Sequence, residues 1–203
     1  MIYDLDCTLE KLLRSDLPAS FFNDSPQLTI TFVEPGQDFP PPAVTLPALD
    51  LFLYDVRENR ELRSNEVEFS YDSNGVMTYS APLVRIDCSY LITAWPSKNI
   101  PSPAREEHIL LGETMEVLLR HPLLPASILQ RRLADADLPL PTTALQTTRL
   151  QSMGEFWQAL GGKAKAALHY TVTIAVAPTP PVEAGPPVTE KDLRFRLGVE
   201  AQS

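Results

Sequence analysis

The chain has 203 residues, a formal charge of −9 and 44% hydrophobic residues, enough for one sizeable core. No run of about 18 apolar residues occurs, which excludes a membrane-spanning helix, and the acidic balance argues against a general nucleic-acid binder. Two cysteines, Cys7 and Cys88, stand at no metal-type spacing; they read as free thiols of a reducing, cytoplasmic compartment or as one disulfide.

Residues 2–15 place Ile2, Leu5, Leu9, Leu12 and Leu13 at helical spacing. This amphipathic opening helix lacks the basic and continuous apolar regions of a secretory signal. In 27–33, Leu28, Ile30 and Phe32 alternate with Thr29 and Thr31, as in a half-buried strand. The next strand, 49–56, is apolar on both sides, with Leu49, Leu51 and Leu53 against Phe52, Tyr54 and Val56. It is expected at the centre of a sheet.

Directly beyond it, without glycine or proline, comes "RENRELRSNE" (57–66). Arg57, Arg60 and Arg63 recur every three residues among Glu58, Glu61 and Glu66. That spacing suits one side of a helical or 3₁₀ turn. The hairpin signature "VEFSYDSNGVMTYS" (67–80) follows, turning at Asn74-Gly75.

Residues 83–95 carry the longest alternation. Val84, Ile86, Cys88, Tyr90, Ile92 and Ala94 face a core, while Arg85, Asp87, Ser89 and Thr93 face water or a partner. Ser102-Pro103 starts a helix that points Ile109, Met115, Leu118 and Leu119 inward and stops at Pro122. A short helix is expected over 127–134. Another, 152–162, is capped by Ser152 and closed by Gly161-Gly162.

The last regular strand, 168–176, alternates Leu168, Tyr170, Val172, Ile174 and Val176. Beyond it "PTPPVEAGPP" (178–187) is one of several clusters among 20 prolines, which fix φ and favour extended connections. The order predicts an α+β fold with a mostly antiparallel or mixed sheet and helices packed on one face. Residues 1–177 form the domain, and 178–203 a proline-rich linker and C-terminal arm.

Chemical motifs are sparse. "REEHILLGE" (105–113) offers Glu106, Glu107, His108 and Glu113 without the spacing of a helical zinc site. His121 and His169 are isolated, and the pairs Asp4/Asp6 and Asp135/Asp137 read as solvated acids. With eight glycines and no glycine-rich phosphate loop, the expectation is a non-enzymatic protein with no catalytic, cofactor or metal residues. Trp157 reads as core beside Met153, Phe156 and Leu160, whereas Trp95 belongs to a core rim or to a contact surface.

Three blocks taken together are more specific: "PALDLFLYDVRENRELRSNE" (47–66), "APLVRIDCSYLITAWP" with "EEHILLGETMEVLLRHPLLP" (81–125), and "FWQALGGKAKAALHYTVTIAV" (156–176). In that order they resemble the tail-terminator, or cap, family of contractile injection systems, over roughly residues 1–177. The resemblance implies a fold like that of phage tail terminators and a structural role. Six copies would form a ring at the baseplate-distal end, against the inner tube and sheath proteins of the same particle. That ring would end their polymerisation, with no nucleic acid bound and no direct membrane insertion.

On this resemblance Arg57, Glu58, Arg60, Glu61, Arg63 and Glu66 become a subunit interface. A strip of alternating sign offsets repulsion between copies of charge −9, and arginine pairs bidentately with carboxylates. The bland reading is an exposed, self-neutralised loop. In the arm, Leu193, Phe195 and Leu197 alternate with Arg194 and Arg196, the pattern of a strand that docks on its own domain or on a neighbour's sheet edge. Two other functions fit the sequence: a soluble, β-rich ligand-binding module using Trp95 and Tyr90, and a hydrolase using His108 with nearby glutamates.

Overall fold

A computed structural model describes residues 1–35, 40–71, 76–136, 138–145, 153–161, 164–183 and 192. Two compact units divide the chain, Met1–Arg63 with Leu83–Val176, and Ser64–Pro82 with Ala177–Ser203. In chain order the elements are α1 (Ile2–Asp16), α2 (Ser20–Asn23), β1 (Thr29–Thr31), β2 (Ala48–Glu58), β3 (Glu68–Tyr71), β4 (Met77–Ser80) and β5 (Val84–Trp95). There follow α3 (Pro103–Arg120), two 3₁₀ turns (Ala126–Ile128 and Arg131–Leu133), β6 (Thr142–Ala144), α4 (Met153–Ala159), β7 (Leu168–Val176) and β8 (Val182–Glu183).

The first unit is built on a five-stranded sheet in the order β1-β2-β5-β7-β6. The β1–β2 pair is parallel and the other pairs are antiparallel. β5 holds the middle. β2 sits one place out, flanked by β1 only over Ala48–Asp50, so the expected central strand is displaced towards an edge.

One face of this sheet forms the core. Leu49, Leu51, Cys88, Tyr90, Ile92, Tyr170, Val172 and Ile174 lie under Leu5, Leu9, Leu12 and Leu13 of α1 and Leu110, Leu111, Val117 and Leu118 of α3. Each fully buried leucine contributes about 1.5–3 kcal/mol relative to exposure, so this cluster orients both helices. α1 ends where Leu17, ahead of Pro18, turns extended (ψ 153°).

α3 starts and stops where its proline signals place it, but its inward face differs. Ile109 and Leu119 are 47% and 53% exposed, and Leu110, Leu111, Thr114 and Val117 are buried with Leu118. The hydroxyl of Thr114 donates to Leu110 O at 2.7 Å, which lets a polar side chain lie inside. Adjacent leucines at 110–111 and 118–119 allow either rotation of the helix. The satisfied threonine decides between them.

The opposite sheet face, expected along 83–95 to meet water or a partner, is covered within the chain: Arg85, Ser89, Leu91 and Thr93 are buried. Part of the cover is α4, whose Phe156 ring lies 6.4 Å from Phe52 and 6.1 Å from Tyr54, with Trp157 buried as expected. Between Leu53 and Asp55 the β2–β5 register shifts, leaving Tyr54 as the extra residue of a bulge. Beyond it Val56 pairs with Cys88 and Arg57 with Asp87, so Val56 does not share the face of Phe52.

The helix expected over 127–134 is two separate 3₁₀ turns. Gln130 between them is extended, its amide donating to Thr8 Oγ1 of α1 at 3.1 Å. That bond interrupts the helical path. The second unit carries a sheet in the order β3-β4-β8, antiparallel throughout. Val182 and Glu183, inside the stretch read as linker, therefore form a strand. The Asn74-Gly75 turn, Ser152, Gly162 and Leu193, Phe195 and Leu197 of the arm lie outside the described residues.

Candidate functional site

The charged strip begins on the last residues of β2, where Arg57 and Glu58 still pair with Asp87 and Ile86 of β5. Arg57 Nε lies 2.8 and 2.7 Å from Oδ1 and Oδ2 of Asp55, two residues back on the same face. Arg63 Nη1 reaches Glu58 Oε1 at 3.5 Å. Arg57, Glu58, Arg60 and Glu61 line, with Asn59 and Asp87, a shallow concavity of about 500 Å³. All six strip residues are exposed, and Glu66 belongs to the second unit.

The helical or 3₁₀ turn expected from the arginine spacing is absent. The strand persists to Glu58 and the chain then turns at 61–62. Asn59 explains the difference. Its amide donates to Arg85 O at 2.8 Å, one rung past the last ladder pair. Its side-chain amide reaches Asp87, its Oδ1 accepts from Leu62 N at 3.0 Å, and Thr173 Oγ1 donates to the same Asp87 carboxylate at 2.7 Å.

Asn59, Asp87 and Thr173 thus fix the base of the strip across three elements, and sequence reasoning did not single them out for this. Asp87 was visible only as one polar position in an alternation, and Asn59 as one letter among charges. Exposed ion pairs such as Arg57–Asp55 contribute about 0–1 kcal/mol. They can exchange for pairs with another surface at little cost.

The residues of the enzymatic reading do not converge. Glu106 accepts from both the amide and the hydroxyl of Ser97. Glu107 forms a largely buried pair with Lys165 at 2.6 Å, and that ammonium lies 4.5 Å over the Trp95 ring. His108 is exposed, and Glu113 is half-buried. These contacts tie α3 and the chain before β7 to the end of β5. Among the described residues no group of three His, Cys, Asp or Glu could hold a metal ion.

For the ligand-binding reading, Tyr90 is fully buried and donates its hydroxyl to Asp6 Oδ1 at 2.8 Å. Trp95 is half-buried, its indole donating to Thr93 Oγ1 at 2.9 Å. Both side chains are committed to packing. Asp4 and Asp6 are not solvated: Asp4 is buried with Arg132 Nε at 3.4 Å, and burial raises the Asp6 pKa against the Tyr90 bond. Cys7 and Cys88 are free thiols, with Cys88 pushed up to about 11 by burial.

One acid went unnoticed in the sequence. Asp50 of β2 is completely buried, accepts from Val33 N at 3.0 Å through Oδ1, and is pushed up to about 8 by desolvation. It anchors the chain leaving β1. No helix among the described residues is long and apolar enough to cross a membrane.

A family model described as the Pvc16 N-terminal domain matches residues 4–190. Among solved structures, the sheath/tube terminator of an extracellular contractile injection system, PVC, in its extended state, aligns with a TM-score of 0.68 at 24% identity. The alignment covers 100% of this chain and 65% of that one. The tube-terminating cap of the anti-feeding prophage aligns with a TM-score of 0.66 at 23% identity, covering 96% of this chain and 62% of that one. The chain thus spans somewhat less than two thirds of either structure, and at these identities the likeness is one of fold. No curated protein matches.

Proposed function

Because the chain belongs to the Pvc16 N-terminal domain family, the tail-terminator family that its sequence blocks resemble, we propose that it is a structural cap of a contractile injection system. Six copies close into a ring at the baseplate-distal end of the particle. The ring contacts the inner tube and sheath proteins, ends their polymerisation and performs no catalysis. Assembly takes place in the cytoplasm.

The observation that carries this reading is the family match over residues 4–190. It is supported by the shared fold with a sheath/tube terminator along the whole chain. The strip at 57–66 supplies a physical means of association. Six bodies of charge −9 repel one another, and a surface that alternates in sign can meet an equivalent surface without adding to that repulsion. Arg60 and Glu61 line the concavity and are exposed for it.

Deleting the gene and measuring particles by electron microscopy tests the role. Tubes and sheaths of uncontrolled length, with an open distal end, are expected. A length distribution equal to that of the parent strain, with closed ends, would reject it. Native mass measurement of the purified cap tests the ring separately.

A further inference from the structure

The side of α3 that faces away from its buried leucines is not composed like a solvent face. Gly112 lies at its midline, opposite Leu110, Thr114 and Val117. At 3.6 residues per turn, the positions three, four and seven residues to either side of Gly112 share its face. They are Ile109 and Met115, His108 and Glu116, and Arg105 and Leu119. Ile109 and Leu119 are about half exposed, Met115 is half-buried, and Arg105, His108 and Glu116 are exposed. Other charges of the helix are engaged elsewhere: Glu106 with Ser97, Glu107 with Lys165, and Arg120 with the Asp16 carbonyl. Glu113 lies at the margin, half-buried.

Glycine inside a helix is disfavoured against alanine by its backbone entropy. Packing within the chain does not ask for it here. Among the described residues, a methyl group at Gly112 would meet no atom within 4 Å beyond its own helix backbone. A bare Cα in the middle of an exposed face permits the close approach of a second helix, at the short end of the about 8–10 Å at which helix axes pack. Ile109, Met115 and Leu119, grouped around it, supply the apolar surface such a contact would bury.

Charge selects what that helix is. Along the face the sign runs from Arg105 and His108 in the N-terminal half to Glu116 in the C-terminal half. A copy of α3 laid antiparallel across Gly112 sets each residue against the one equally far on the other side of the glycine. Ile109 then meets Met115, His108 meets Glu116, and the stem of Arg105 crosses Leu119 towards Glu116. A parallel copy would set Arg105 on Arg105 and Glu116 on Glu116, like charges that oppose association.

We propose that two free copies of the chain pair through the outer faces of α3, antiparallel and crossing at Gly112. This contact is the same patch on both copies and closes at two, whereas a ring of six needs a head-to-tail contact. The pair is therefore a state of the chain outside the ring and does not depend on the ring reading. A contact confined to one helix face per copy belongs to the small, reversible class of interfaces, so chains can leave it.

The test uses full-length chains with Cys7→Ser, leaving the buried Cys88 in place. Chains with His108→Cys under one tag and Glu116→Cys under another are mixed and treated with a short bis-maleimide. Such a mixed pair keeps one of its two His108–Glu116 contacts. A covalent species bearing both tags is expected, with the two same-tag products at least tenfold rarer. Equal yields of all three, or none of them, would overturn the proposal. Sedimentation of the parent chain up to about millimolar concentration should show the pair; a monomer throughout would mean that the chain's own tail or another protein owns this face, and would overturn it as well. Gly112→Leu should raise the melting temperature of the dilute chain while weakening pairing at least tenfold. A lower melting temperature, or unchanged pairing, would remove the case for Gly112 as the crossing point. Native mass keeps the two readings apart: pairs that never reach six copies would refute the ring and leave the pair standing, and six-copy species without pairs would do the reverse.

Discussion

Asn59 Nδ2 stands 3.0 and 3.2 Å from the two carboxylate oxygens of Asp87, binding the residue just past β2 to the middle strand of the sheet. A hydrogen bond to a charged group contributes about 1.5–3 kcal/mol. Asn59→Ala is therefore expected to lower stability by about 1–3 kcal/mol, read as a lower urea midpoint. It should also remove hydrogen-exchange protection at the Leu62 amide, which Asn59 Oδ1 accepts. Unchanged protection there would mean that the turn is held by other contacts.

Charge reversal separates the two views of the strip. Arg60 and Arg63 are exposed, and Arg63 has one long contact to Glu58 at 3.5 Å. The double substitution Arg60→Glu/Arg63→Glu should leave circular dichroism and melting of the single chain close to the parent. If the strip lies between subunits, unpaired like charges cost several kcal/mol there and native mass should show a weakened ring. A fully assembled variant would return these residues to solvated surface.

Asp50 makes stability depend on pH in an unusual direction. Unfolded, its carboxyl releases a proton near pH 4, about the ordinary aspartate value; folded, it does so only near about 8. Between these limits the native state holds the extra proton. The contribution is present in full below pH 4 and is lost as pH rises towards 8. Asp50→Asn retains an acceptor for Val33 N and cannot ionise. Chemical denaturation at pH 5 and pH 8 should show a smaller loss of stability for the variant than for the parent, and equal losses would contradict the buried-acid account.

Where the chain is cut also matters. Removing everything after Ala177 spares β7 but deletes β8, which pairs Val182 with Tyr79 and Glu183 with Thr78. Exchange protection along β4 should then fall, while the first unit melts as before. A cut after Glu183 keeps those pairs, so β4 protection should fall less than for the cut after Ala177. Equal loss of β4 protection from the two truncations would show that residues beyond 183 hold this sheet as well.

Much of the fold was legible where one physical signal dominated. The leucines of α1, the alternation of β5 and β7, and the proline limits of α3 each leave a local trace, and each element stands where that trace puts it. The face of α3 was not legible, because a threonine that bonds its own helix looks polar in sequence and apolar in place. The base of the strip was hidden for another reason. Asn59, Asp87 and Thr173 are far apart in the chain, and nothing local marks them as partners.

The bulge at Tyr54 has a consequence for how β2 tolerates changes of length. Before it, odd-numbered residues face the helices; after it, even-numbered ones do, because Leu53 opposes Tyr90 and Asp55 already opposes Ser89. The strand thus slips phase once, and the slip keeps Asp55 and Arg57 off the leucine side. Loss of a residue at 54 would give up ring contacts with Phe156 and His169 yet leave every other side chain on its present face. Loss of a residue on either side would invert part of the strand. Among natural variants, single-residue deletions in this strand should therefore gather at one codon.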